Sequence, residues 1–81
     1  MATTTQTITN VWSEVTAVDC LFQIISSGQV YFKYSDVVPT NGDFTNSHNH
    51  TGNGIINLPA ISGQPLYSTA LDNQKIAITE L

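Results

Sequence analysis

The chain has 81 residues, a formal net charge of −4 and only two cationic side chains, Lys33 and Lys75. That length admits one small domain with little room for a catalytic cleft beside a core. The lack of arginine and of any basic patch excludes the phosphate neutralisation that nucleic-acid binding needs, and it argues against docking on an anionic membrane surface.

Charged residues make up 10% of the chain, against about 25% in an ordinary soluble domain. Thr, Ser, Asn and Gln instead fill 30 of the 81 positions. Neutral amides and hydroxyls can be buried against another subunit at the cost of matched hydrogen bonds, whereas an unpaired buried charge costs several times more. A β domain this short buries only roughly 60–65% of the surface its unfolded chain exposes. Cys20, the lone cysteine, offers no intramolecular disulfide, so association with copies of itself or with a larger assembly is the expected source of extra stability.

Along the chain, β-branched and aromatic residues dominate the apolar set and no window sustains helical periodicity, so the fold class is expected to be all-β. Thr4 to Thr9 reads as a Thr-rich strand, either a sheet edge or part of an N-terminal arm (1–10) exchanged with a neighbour. The remainder, 11–81, reads as a single domain. Val11 to Thr16 is a second strand, in which Trp12 is first of all a buried anchor. Asp19 to Ile25 is the most apolar stretch and predicts a central strand. Ser26 to Gln29 predicts a hairpin turn with Gly28 available for positive φ. Val30 to Ser35 alternates, with Val30, Phe32 and Tyr34 on one face and Tyr31, Lys33 and Ser35 on the other. Pro39 ends that run. Residues 41–54 lack apolar periodicity and read as a long polar loop of the kind that carries function. Ile55 to Leu58, Leu66 to Ala70 and Lys75 to Leu81 complete about seven short antiparallel strands, the pattern of a small β-sandwich or compact barrel.

Few residues here have the spacing of a reactive site. The six carboxylates are scattered, and most of the aspartates sit where turn chemistry explains them. A thiolate-imidazole pair between Cys20 and His48 or His50 is disfavoured, because a cysteine inside the most apolar strand behaves as a buried hydrophobe. No enzyme activity is therefore expected. His48 and His50 share one side of an extended backbone. Three copies around a three-fold axis would supply six imidazoles, an octahedral shell for iron or a similar divalent metal, although two histidines decorating a polar loop is the commoner arrangement. Asn49-His50-Thr51 matches a glycosylation sequon, with nothing to indicate secretion. Trp12, Tyr31, Phe44 and Tyr67 are the candidate partner-interface aromatics, with Tyr31 and Phe44 the stronger pair. Residues 1–7 have neither the basic nor the apolar region of a signal peptide and no apolar run reaches membrane length, so the expected site of synthesis is the cytoplasm.

The order of features resembles that of small β-rich virion proteins of tailed bacteriophages. The features are a Thr-rich start, Trp12-Ser13-Glu14-Val15, Leu21-Phe22-Gln23-Ile24, a Gly turn, Val30-Tyr31-Phe32 and Val37-Val38-Pro39-Thr40. Pro65 to Ala70 and Lys75 to Glu80 close the pattern. The resemblance covers most of the chain. It implies a non-catalytic trimer located on the virion, a capsid decoration or cement protein that bridges subunits of the major capsid protein. The stretch Asp43 to Gly54 departs from the pattern, being longer and His-bearing. That departure points to the alternative of a tail, fibre or spike component with a His-x-His metal site or a receptor-binding loop. A host-directed inhibitor is a third possibility that no residue singles out.

Overall fold

The computed structural model describes residues 3–26 and 28–81. The first two positions of the expected arm and position 27 of the expected turn lie outside the described residues. The described residues are all-β, with eight strands: β1 (Thr3–Ile8), β2 (Ser13–Thr16), β3 (Cys20–Ile24), β4 (Gln29–Tyr34), β5 (His48–Thr51), β6 (Ile56–Leu58), β7 (Leu66–Thr69) and β8 (Gln74–Glu80). They form two four-stranded antiparallel sheets, ordered β1-β8-β3-β6 and β2-β7-β4-β5.

Alternation sets the inner faces. Cys20, Phe22 and Ile24 of β3 and Ile76 and Ile78 of β8 point inward from the first sheet, and Val30 and Phe32 of β4 with Leu66 of β7 point inward from the second. The rings of Phe22 and Phe32 meet across the two sheets with centroids 5.8 Å apart. Fully burying an aliphatic or aromatic side chain of this size contributes about 1.5–3 kcal/mol, so this row is the main source of cohesion.

Two sequence expectations change. The 1–10 arm is not separate from the rest, because β1 pairs along its whole length with β8 and Ile8 lies in the common core at 0% exposure. Of the two readings of this segment, the sheet edge is the one adopted. The 41–54 segment is not all loop either. His48–Thr51 is a strand against β4, with Val30 opposite His50 and Phe32 opposite His48. Its main-chain ladder with β4 creates the strand, and the imidazoles take the inward positions that aliphatic side chains usually occupy. This polar substitution is tolerated because β5 lies at the margin of the core.

Sheet β2-β7-β4-β5 is covered on its outer side too, so all four residues of β7 are buried. The buried hydroxyls of β7 are paired: Ser68 Oγ donates to the Tyr31 carbonyl at 2.8 Å and Thr69 Oγ1 to the Thr9 carbonyl at 3.0 Å. Among the described residues no buried side-chain polar atom lacks a partner, and no helix is long and apolar enough to cross a membrane.

Candidate interaction surface

The cover on the second sheet is the 35–47 segment. It leaves β4 at one end of the molecule, crosses the outer face and returns as β5. Local turns hold it, with Asp43 N–H donating to the Thr40 carbonyl at 3.0 Å, Ser47 N–H to the Phe44 carbonyl at 3.1 Å, and Asn46 in the left-handed region at φ 59°. Trp12 fastens it to the sheet, since its backbone N–H donates to Asn41 Oδ1 at 3.0 Å and its indole Nε1 to the Asp43 carbonyl at 3.1 Å. Lys33 Nζ sits 5.4 Å from the indole centroid and donates to the Thr45 carbonyl at 3.2 Å. Asp43 Oδ1 accepts the Thr45 N–H at 3.0 Å, and hydrogen bonding from Thr45 holds this carboxyl below the ordinary carboxylate range.

All four interface aromatics expected from the sequence belong to this one region. Phe44 lies 4.6 Å from Tyr31 and 6.3 Å from Trp12, centroid to centroid. Tyr67 pairs with Lys33 and with Glu14 on the same outer face. They do not share a role, however. Trp12 and Tyr67 are buried at 2% and 6% exposure and support the cover from below, leaving almost no surface for a partner, whereas Phe44 and half-buried Tyr31 reach solvent. Trp12 is the anchor its size implies, but beneath the cover and outside the principal core.

His48 and His50 do share a face, as the spacing predicts, and it is the side of the inner face, at whose margin His48 stays exposed and His50 is half-buried. The His48 ring packs 5.7 Å from Phe32, and His50 stands edge-on to Phe22 at 6.4 Å. His50 Nε2 is 3.1 Å from the Gly54 carbonyl, so one of its nitrogens is engaged. Among the described residues no three His, Cys, Asp or Glu side chains gather around one point. Cys20 is fully buried, its thiol pushed up by burial and by the nearby carboxylates of Glu80 and Asp19.

A second surface was not legible as a unit in the sequence. The β2–β3 connection, residues 35–38, the β6–β7 connection and the C-terminal residue meet at one end of the molecule. Ala60 N–H donates to Asp19 Oδ1 at 2.6 Å, Leu81 N–H to the Asp19 carbonyl at 2.9 Å, and Ser35 N–H to the Pro65 carbonyl at 3.2 Å. These contacts bring Val18, Val37, Val38, Ile61 and Leu81 to the same end at 43–65% exposure. A depression of about 420 Å³ lies here between Ala17, Asp36 and the 60–65 turn, and Asp36 is its only ionisable lining group. The signal for this end was present but divided. Val37-Val38 and Ile61 lie in separate connections with no local period that joins them.

No family model matches this chain, and no curated protein or solved structure is found similar to it. The functional reading therefore rests on these surfaces and on the sequence pattern.

Proposed function

We propose that this chain is a non-enzymatic structural subunit, a β-sandwich protomer that works inside a larger assembly, and that the assembly is the virion of a tailed bacteriophage. The sandwich reading takes support from two sheets that share one core in a molecule whose shortest extent is 16 Å, close to two packed sheets with their side chains.

The observation that carries the functional reading is the aliphatic end. Five large side chains stay exposed together there, although the 81-residue chain has a complete core without them. Exposed aliphatic side chains gathered at one end of a molecule are the kind of surface that serves protein contact. Asp19 has its hydrogen bonds met internally there, and Asp36, which lines the depression, is the charge that a partner would have to pair or leave in water. Docking of this end on the major capsid protein, with Phe44 and Tyr31 as a second contact, stabilises a shell by mass action. The virion setting comes from the resemblance alone.

A photo-crosslinking side chain at Val38, with one at Asn73 on a distant turn as control, tests the docking. The expected result is a Val38-specific adduct with a capsid subunit in assembled particles. Equal labelling from both positions, or none, contradicts it.

A further inference from the structure

We propose that β1 is a self-association edge, and that two copies of this chain join through antiparallel β1–β1 pairing about a two-fold axis at Thr5. This deepens the assembly reading by naming a second copy as the partner, and it rests on that reading only for the premise that the chain self-associates.

The main-chain direction of β1 follows from its neighbours. In β8, the Lys75 carbonyl accepts the Ile25 N–H at 2.9 Å, and just beyond the strand the Leu81 N–H donates to the Asp19 carbonyl at 2.9 Å. Lys75, Ala77 and Thr79 thus turn their main-chain groups toward β3, and Gln74, Ile76 and Ile78 turn theirs toward β1. In the observed register those three stand opposite Ile8, Gln6 and Thr4. Opposed residues of an antiparallel pair either exchange both hydrogen bonds or neither, so the N–H and C=O groups of Thr3, Thr5 and Thr7 face outward along the open edge.

The four sheet edges are not equally protected. β2 carries Glu14 and a register shift between Glu14 and Thr16. β5 has four residues and two inward imidazoles, and β6 has three residues ended by Pro59. These are the usual devices against edge-to-edge pairing: brevity, polar or charged inward groups, proline and irregular register. β1 has neutral polar groups at the inward positions of Thr4 and Gln6 but lacks the other devices, namely brevity, charge, proline and irregular register. Its six residues contain no charge and no proline, and they pair with β8 in unbroken register.

The edge is also self-complementary. Centring the axis on Thr5 sets Thr5 against its own copy, Thr3 against Thr7 of the second copy and Thr4 against Gln6, which forms about six main-chain hydrogen bonds and pairs Thr with Thr along the outer face. None of the six carboxylates of this −4 chain lies on β1, so like charges are not placed opposite each other. A three-fold ring of the kind the resemblance implies would need β1 to meet a different edge of the next copy, and the other three edges are blunted.

Light scattering and sedimentation on the full chain across a micromolar concentration series test this. The wild type is expected to be a dimer. Thr5→Pro removes two donors at the axis without touching the β1–β8 ladder, and it is expected to weaken association by roughly tenfold or more. Thr5→Cys is the second variant and needs no loss of structure to read: with Cys20 buried, mild oxidation is expected to crosslink it to a dimer faster than a Leu71→Cys control. A monomer, a trimer indifferent to Thr5→Pro, or equal crosslinking of the two cysteine variants overturns the proposal. A dimer that is absent from virions removes the virion reading alone, and a monomer built into virions removes only this contact.

Discussion

Phe44 lies on Tyr31 with ring centroids 4.6 Å apart, and this contact closes the 35–47 segment over the outer face of the second sheet. Phe44→Ala is expected to cost about 1 kcal/mol while leaving both sheets intact. Trp12 is the only tryptophan and lies under the same segment, so its emission reports the change directly. A red shift with unchanged far-ultraviolet circular dichroism is the expected outcome.

The same cover is acid-sensitive. Asp43 is held below the ordinary carboxylate range by hydrogen bonds from Thr45. A depressed carboxyl stabilises the fold above its unfolded pKa, and that contribution is lost as pH falls through the folded value. Trp12 emission is expected to shift in acid before global unfolding. Asp43→Asn, which keeps an acceptor for the Thr45 N–H, is expected to flatten that early phase.

Cys20 titrates in the opposite window. Its folded pKa is raised by burial, so the unfolded chain releases the thiol proton first, and stability present below about pH 9 is lost as pH rises beyond it. Tyr34, also raised by burial, adds to the same alkaline loss. Denaturant midpoints measured on either side of pH 9 are expected to fall with pH, and less steeply in Cys20→Ala. The native thiol is expected to react with alkylating reagents only at the rate of opening.

Gly28 faces the buried side chain of Gln74. A β-carbon there would stand 2.5 Å from the Gln74 amide carbon, at a backbone φ of 153°, and Gln74 is itself held by Ser26 Oγ at 2.6 Å. Gly28→Ala is expected to destabilise by about 2 kcal/mol, measured by thermal melting. Adding Gln74→Ala is expected to recover part of that loss through non-additivity.

His48 and His50 pack on Phe32 and Phe22, so each is expected to cost about 1 kcal/mol on replacement by alanine. A chelator is expected to leave the melting temperature unchanged. Iron that copurifies with the wild type and is absent from the double variant would favour the fibre or spike alternative over the capsid reading.

Much of the sheet structure was legible because period-two alternation is strong where one face is buried, as in β3, β4 and β8. The β5 strand was not, because His48 and His50 take inward positions in place of aliphatic residues and leave no hydrophobic period to read. Burial of Trp12 was expected from its size, but what covers it and Tyr67 was hidden, since the cover is a polar segment about 30 residues away from Trp12 folding back through Asn41 and Asp43. The sequence singled out Phe44 as the aromatic in that segment, but nothing local shows which face it covers. The aliphatic end is assembled from four separate stretches, and only the tertiary contacts of Asp19 and Pro65 bring them together.

The most direct measurement is the protein composition of purified particles raised from the genome that encodes this chain, by quantitative mass spectrometry with surface labelling. The account predicts this polypeptide at a fixed ratio to the capsid subunit and labelled on the exterior. Its absence from washed particles, or turnover of a substrate by the free chain, would contradict it.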